Sequence, residues 1–308
     1  MTNKIVAVQG NNPSKLNPVT DTSVFLAHEI QNKNYNIFYY DPKDLSIINS
    51  KVIASGFFIE FNYKNKKFFR ILKKQKLDLT KCKFILIRQD PPFNLEYISA
   101  TYILDTIKDK VKILNNPTSI RNVSEKLYSV KFQKYMPNTI FTQNIDEIKN
   151  FFKKHKKVIL KPIHSYSGND IHLLTSFNLK LIKKFIKQHN HIMCQKFIPK
   201  ISKGDKRVFL INGKVCGAIS RVPKKGSFLS NMSKGAKPIN IKLTKIENKV
   251  SKLIAKDLKK ENIFFAGIDF IDQKLNGDIN VTSPTGLKTL YDLSGINLAK
   301  TFWRELKV

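Results

Sequence analysis

The sequence predicts an α/β N-terminal domain with a mostly parallel sheet, followed by two small α+β units. Three observations carry this expectation. In the first third, short apolar runs alternate with helix-like stretches. The runs are continuous, as in strands of a parallel sheet covered on both faces. Beyond Met136-Pro137 the pattern changes to antiparallel hairpins with segregated helices. The chain has 308 residues, 42% hydrophobic and 25% charged. That is enough to bury a sizeable core and to divide into two or three domains or subdomains.

The elements follow in order. KIVAVQ (4–9) reads as a strand, and Asp21 to Asn32 as an amphipathic helix with Thr20 or Asp21 as its cap. YNIFYYD (35–41) and KFILIRQD (83–90) read as strands, with a helix at 94–107 behind them. VKILNN (111–116) continues the pattern, and a helix from Thr118 to about Lys134 follows. KVILKPI (157–163), a turn from His164 to Asn169 and DIHLLT (170–175) open the second part. A lysine-rich helix at 178–189 and the strand HIMCQKF (191–197) come next. RVFLINGKVCGAIS (207–220) is a hairpin, because Asn212-Gly213 is a type I′ turn signal. A helix at 242–260 precedes a second hairpin, NIFFAGIDFIDQKLNGDINVTSP (262–284), and GINLAKTFWREL (295–306) reads as an amphipathic helix. No period of 20–50 residues repeats, and no segment is low-complexity.

Composition narrows the function. Cys82, Cys194 and Cys216 are too few and too scattered for a disulfide framework or a zinc cluster. No apolar run reaches the ~18 residues that span a membrane, and MTNKIVAVQG lacks a signal-type stretch. A cytoplasmic setting with no membrane association is therefore expected. The net charge is +32 from 55 basic residues, of which only Arg70, Arg88, Arg121, Arg207, Arg221 and Arg304 are arginines. A nucleic-acid reader favours bidentate arginines with interleaved aromatics. Lysines spread over every segment read instead as a solvated surface, with no specific nucleic-acid partner. The positive field would still attract acidic small molecules such as nucleotides.

Three stretches carry chemistry. In the 262–284 hairpin, Asp278 and Asn280 are two apart and project from one face of a strand. Asp269 sits in the apolar run around Phe265, Ile268, Phe270 and Ile271. There a carboxylate is costly unless it is paired or holds a metal. These oxygen donors suit Mg²⁺ and not zinc; the alternative is a turn-proximal Asp and Asn on an exposed hairpin. Facing Asp269 across from Asp278 puts the turn near Gln273-Lys274 and leaves Asn276-Gly277 as a bulge. Second, Lys161 ends the strand ILKP, and Ser165, Ser167 and Gly168 behind it let backbone N–H groups approach phosphates. A plain hairpin turn reads the same way, and no G-K-[ST] is present. Third, Arg207 in GDKR, beside Lys206, is placed to neutralise a carboxylate or a transferring phosphoryl group; an ordinary solvated loop is the bland alternative.

Taken in order, the motifs resemble a family. RQDPPFNLEYISATYIL (88–104), NNPTSIRNVSEKL (115–127), ILKPI (159–163), QKFIP (195–199), GDKRVFLINGK (204–214), SRVP (220–223), GIDFI (267–271) and DINVTSPTG (278–286) are similar to the bacterial glutathione synthetases. These are ATP-grasp carboxylate–amine ligases, and the resemblance runs over essentially the whole length. It implies an N-terminal α/β substrate-binding domain at 1–125 and an ATP-grasp domain of two α+β subdomains at 126–308. The implied reaction joins γ-glutamylcysteine and glycine into glutathione through an acyl phosphate, with ATP as co-substrate and ADP and phosphate as products.

By matching position, the resemblance puts Lys126 and Lys161 on the ATP phosphates and Gln195, Lys196, Phe197 and Ile198 around the adenine. Ser167, Gly168 and Asp205 join the nucleotide contacts. Asp269, Asp278 and Asn280 would hold Mg²⁺, with Mn²⁺ as a substitute. Arg207, Arg221 and Asn231 would face the acyl phosphate and its tetrahedral successor. Arg88, Asp90 and Ser283 would take the dipeptide and glycine carboxylates. The family also implies a homo-oligomer, typically a tetramer. Two residues depart from its pattern. Asp278 stands where Glu is usual, after a hairpin one residue longer, and Leu229 stands where an Arg is usual, two residues before Asn231. The lid Lys224–Lys237 is also shorter and less glycine-rich. The rival expectations are an ATP-grasp ligase with another acceptor, a nucleotide-binding pseudo-enzyme and a basic nucleic-acid-binding protein.

Overall fold

The computed structural model describes residues 4–308. Strands β1 (Ile5–Gln9), β2 (Asn36–Tyr40), β3 (Leu45–Ile48), β4 (Lys51–Phe61), β5 (Phe69–Asp78), β6 (Phe84–Ile87) and β7 (Lys112–Leu114) form the first sheet. Its core is parallel in the order β2-β1-β6-β7, as the continuous apolar runs require. Residues 42–78, unassigned from the sequence, extend it into a mixed sheet: β4 pairs antiparallel with β2, β3 and β5. The β5 segment FRILKKQKLD is largely exposed, so no core face marks it in the sequence. Its lysines suit an edge strand that must not pair with other chains.

Helix α1 (Thr22–Gln31) starts where expected, because Asp21 accepts from Val24 N at 2.9 Å. It is buried on most sides rather than amphipathic. Helix α2 (Leu95–Asp105) is capped by Asn94 in the same way. The helix expected from Thr118 to Lys134 is two pieces. Helix α3 (Pro117–Asn122) ends at Val123, whose ψ of 76° is not helical. A 3₁₀ stretch, Leu127–Tyr135, follows it. Tertiary bonds hold the interruption open. The Glu125 carboxylate accepts from Val281 N at 2.9 Å and from the backbone N and hydroxyl of Thr282 at 3.1 and 2.9 Å. The Glu125 carbonyl accepts from Ile279 N at 3.0 Å.

The second sheet, in the order β10-β9-β11-β8, is antiparallel: β8 (Thr139–Thr142), β9 (Val158–Pro162), β10 (His172–Leu174) and β11 (Ile192–Lys196). Helices α4 (Ile145–His155) and α5 (Leu179–His189) bury Ile148, Phe151, Ile182 and Phe185 against it. Both β8 and α4 lie in a stretch unassigned from the sequence.

The third sheet runs β14-β13-β12-β15-β16: β12 (Asp205–Ile211), β13 (Lys214–Val222), β14 (Lys237–Asn240), β15 (Phe265–Ile271) and β16 (Lys274–Asn280). Asn212 and Gly213 both take positive φ, 48° and 76°, as a type I′ turn requires. Helix α6 (Lys245–Lys260) opens with a Thr244/Glu247 capping box. Helices α7 (Leu287–Ser294), missed in the sequence between Gly286 and Gly295, and α8 (Leu298–Glu305) end the fold. They return to the first sheet. Phe302 and Trp303 share one core with Val6, Phe25 and Phe84, and Trp303 Nε1 donates to the Leu26 carbonyl at 2.9 Å. One packed core thus ties the first sheet to β12, β15 and the last helices.

The turn between β15 and β16 falls at Asp272-Gln273, one residue earlier than expected, since Ile271 pairs with Lys274. The bulge at Asn276-Gly277 is as the sequence indicates. Ile268 pairs with Ile279 and Phe270 with Leu275, so Asn276, Gly277 and Asp278 all stand opposite Asp269. Gly277, at φ 85°, makes the bulge cheap.

Candidate active site

Two adjoining cavities lie where the three sheets meet. The first is walled by β9, β11, β12, β15, β16 and the loop between β13 and β14. Its lining contains Lys126, Lys161, Ser167, Gly168, Gln195, Lys196, Phe197, Ile198 and Asp205, the whole set expected to hold a nucleotide. It also contains Arg207, Arg221, Asn231, Asp269, Asp278 and Asn280. Its lining also includes the apolar side chains of Ile159, Phe197, Ile198, Ile201 and Ile271. A cavity with both apolar walls and cations suits a flat base joined to phosphates.

Both lysines are 4% exposed. Lys126 Nζ donates to the Ser165 carbonyl at 2.8 Å and lies 3.4 Å from Asp278 Oδ1. Lys161 Nζ donates to the carbonyl and the side-chain oxygen of Asn276, at 2.9 and 3.0 Å, and lies 3.5 Å from Asp278 Oδ2. Burial pushes the Lys161 pKa below the ordinary lysine value, opposed by the nearby Asp278. The bulge is what brings Asp278 and Asn276 to both lysines.

Behind them lies a buried ion network. Arg207 donates through Nε and Nη2 to the two oxygens of Asp269, and Arg221 Nη2 lies 3.1 Å from Asp269 Oδ2. Burial works against the Asp269 carboxylate, but the two guanidiniums outweigh it and hold its pKa well below the usual range. Arg221 donates through Nε and Nη2 to Asp205, which also accepts from the Ser230 hydroxyl at 2.6 Å. The Asp205 carboxylate is thus spent on Arg221 and Ser230, although the residue lines the cavity. Gln195 is similarly occupied: its Nε2 donates to the Thr139 hydroxyl at 2.9 Å.

The second cavity shares Glu125, Tyr166, Ser167, Arg207, Arg221, Asn231 and Asn280 with the first. It reaches Asp21, Asp90 and Ser283. These lie beyond the carboxyl ends of β1 and β6, where the strand order 2-1-6 reverses direction and open α/β sheets bind ligands. Asn11 and Asp90 meet there, Asp90 N donating to Asn11 Oδ1 at 2.8 Å. Arg88 does not line this cavity, contrary to expectation. Its Nε donates to the Ser23 hydroxyl at 3.0 Å, and it borders a small adjoining cleft with Asn115, Thr282 and Pro284. Its backbone carbonyl accepts from Ser283 Oγ at 3.2 Å. Its buried Nη1 has no hydrogen-bond partner among the described residues.

Sequence reasoning missed Glu125, Ser230 and Asn276. Glu125 sits beside Lys126 inside what reads as an unbroken helix. Ser230 is a small polar residue in a loop, and Asn276 reads from the sequence only as part of a bulge. Contacts far away in the chain give all three their roles.

The donor set at Asp269, Asp278 and Asn280 is all oxygen, which fits a hard divalent cation. Among the described residues Asp269 Oδ1 accepts only from Arg207 Nε, leaving a lone pair for a metal, and Asp278 opens onto the cavity. The Asn280 amide nitrogen faces the Gly267 carbonyl at 3.1 Å.

The profile of the prokaryotic glutathione synthetase N-terminal domain matches residues 5–121, and that of the prokaryotic glutathione synthetase ATP-grasp domain matches residues 125–295. The glutathione synthetase of Bradyrhizobium diazoefficiens is 32% identical over 306 residues, covering 98% of this chain and 97% of its own. That of Buchnera aphidicola subsp. Baizongia pistaciae is 35% identical over 293 residues, covering 93% and 90%. Among solved structures, D-alanyl-alanine synthetase A from Vibrio cholerae superposes with a TM-score of 0.65 at 14% identity, covering 100% of this chain and 98% of its own. The ATP-grasp ligase PsnB, solved with a precursor variant, Mg and ADP, has a TM-score of 0.62 at 12% identity, covering 99% and 97%. With both domain profiles matched in order, and relatives above 30% identity over nearly the full length, the chain belongs to the prokaryotic glutathione synthetase family and has the ATP-grasp fold.

Proposed function

We propose that this chain joins γ-glutamylcysteine to glycine with ATP, releasing glutathione, ADP and phosphate. The observation that carries the reading is the set of buried cations in the first cavity, Lys126, Lys161, Arg207 and Arg221, of which the two arginines also line the second. A nucleotide in the first cavity would present its γ-phosphate there to a carboxylate arriving from the second. The cysteinyl carboxylate oxygen attacks the γ-phosphorus and ADP leaves. The glycine amine then attacks the carbonyl carbon, and the acyl C–O bond breaks to release phosphate as the nitrogen loses its proton. A carboxylate becomes a competent electrophile only once its oxygen is a leaving group. Catalysis is then positioning and charge stabilisation.

In this reading Lys126 and Lys161 bind the phosphates, and Ser167 and Gly168 offer backbone N–H groups to them. Gln195, Lys196, Phe197 and Ile198 border the base. Arg207 and Arg221 give the N–H groups not used on Asp269 and Asp205 to the acyl phosphate and the oxyanion that follows it, with Asn231 beside them. Asp205 orients Arg221. Asp90 and Ser283 meet the substrate carboxylates or amine, and Arg88, with its unpartnered Nη1, supports that wall. Asp269, Asp278 and Asn280 would hold Mg²⁺, which when bound screens the phosphate oxygens and polarises the transferring group. We place the domain boundary at 125/126, within the interruption before the 3₁₀ stretch. Among the described residues no helix is long and apolar enough to cross a membrane, in keeping with a cytoplasmic enzyme. A homo-oligomer completes the reading; Ile47, Ile48, Ile71 and Leu72, exposed in the antiparallel part of the first sheet, offer apolar surface for it.

The test is a reaction containing ATP, Mg²⁺, γ-glutamylcysteine and glycine. Mass spectrometry should show glutathione, with one ADP released per molecule. ATP binding without glutathione at micromolar enzyme would overturn the reading.

A further inference from the structure

The loop of residues 223–236 between β13 and β14 is a wall common to both cavities. Phe228, Leu229, Ser230 and Asn231 line the first, and Asn231, Met232 and Ser233 the second. Among the described residues, two side-chain bonds fasten it to the rest of the fold. Lys234 Nζ donates to Asn169 Oδ1 at 3.0 Å in an exposed contact. The other tie is the Ser230 hydroxyl, which donates at 2.6 Å to Asp205 Oδ2, both residues being buried.

That same carboxylate receives Nε and Nη2 of Arg221. One residue further along the loop, Asn231 presses against Gly168 of the opposite loop so closely that a Cβ on Gly168 would collide with Asn231 Oδ1. A charged acceptor makes the Ser230 bond one of the stronger kinds. Its place on the loop ties three things: the loop's position, the orientation of Arg221 and the approach of Asn231 to the 164–171 turn.

We propose that Ser230 is a positioning residue, its hydroxyl latching the 223–236 loop onto Asp205 so that loop closure and the placement of Arg221 and Asn231 are one event. The proposal rests on the ligase reading of the same site. Its chemical consequence concerns water. With the loop shut, the acyl phosphate meets only the amine. With it open, water adds to the carbonyl carbon, the acyl C–O bond breaks, phosphate leaves, and the substrate carboxylate is restored with a proton lost to solvent. ATP is then spent without a peptide bond.

The experiment compares the full chain with Ser230→Ala and with Ser230→Thr, which keeps the hydroxyl. Two readouts are taken. Amide hydrogen exchange across 227–235 in the ligand-free protein should accelerate about tenfold in Ser230→Ala, the scale of one lost charge-assisted hydrogen bond. In turnover, Ser230→Ala should release at least two ADP per glutathione and show a raised KM for ATP, while Ser230→Thr stays near one. Unchanged exchange in Ser230→Ala removes the latch. Faster exchange with ADP and glutathione still equal removes the positioning role. A wild-type protein that makes no glutathione overturns the ligase reading instead, and the exchange measurement still decides the latch.

Discussion

Replacing Asp278 with Asn tests the charge arrangement of the site most sharply, because stability and turnover should fall while metal-free ATP binding rises. In the structure the carboxylate lies 3.4 Å from Lys126 Nζ and 3.5 Å from Lys161 Nζ, and both lysines are nearly sealed from water. Removing one partner of a buried pair leaves an uncompensated charge at about 3–5 kcal/mol. The Asp278 side chain is 22% exposed, and Asn keeps the shape and an acceptor oxygen, so ~1.5 kcal/mol is the more fitting scale, that of a charged hydrogen bond. The ligand-free protein should lose roughly that stability, about 2–5 °C in Tm. Metal-free ATP should bind more tightly, because its phosphates no longer displace a resident carboxylate; the same ~1.5 kcal/mol corresponds to about tenfold in Kd. Turnover with Mg²⁺ should fall, since a ligand of the metal is gone. Thermal unfolding and titration calorimetry with ATP in EDTA, beside steady-state rates in Mg²⁺, read all three. Metal-free ATP that binds Asp278→Asn no better than wild type would refute the view that Asp278 stands in for phosphate on the two lysines.

Other expectations follow from particular atoms. Gly277→Ala puts a Cβ 2.5 Å from Met193 Cε at a φ of 85°; it should cost about 1–3 kcal/mol in chemical denaturation and raise the Mg²⁺ concentration needed for half-maximal rate. Asp278→Glu, although it restores the family's usual residue, should slow turnover, because the bulge already carries the shorter side chain to the lysines; a rate equal to or above wild type would contradict this. Replacing Cys82, Cys194 and Cys216 together with Ala should leave kcat within a few-fold, as none of them lines either large cavity. Burial pushes the Cys82 and Cys194 thiols up to about 12. From about pH 9 the unfolded chain therefore releases these protons while the folded one keeps them, so stability present below pH 9 should decline up to about pH 12 by roughly 1.4 kcal/mol per pH unit per thiol. The triple variant should lack that part of the decline in pH-dependent denaturation curves.

What the sequence determined by itself is local or carried by motif. The parallel core of the first sheet was legible because strands buried on both faces leave unbroken apolar runs. The Asn212-Gly213 turn was legible because only certain residues take positive φ, and the start of α1 because Asp21 caps its own first turn. The family was legible because its motifs keep their order along the chain, and the structure gathers every expected nucleotide residue around one cavity. The tertiary structure decided which charge answers which. Asp269 belongs to Arg207 and Arg221, Asp278 to Lys126 and Lys161, and Asp205 to Arg221 and Ser230; apart from Asp205 and Arg221, which face each other 16 residues apart across the β12–β13 hairpin, each pairing joins residues 25 or more apart with no shared turn to set their register, so no spacing reveals it. The same holds for the interruption at Glu125. Its helical signal is local, but bonds to residues 279–282 outweigh it, because a nucleation-limited short helix is worth less than several buried hydrogen bonds. The β4–β5 hairpin was invisible for the opposite reason: β5 buries almost no face, and a strand without a buried face leaves no periodicity to read.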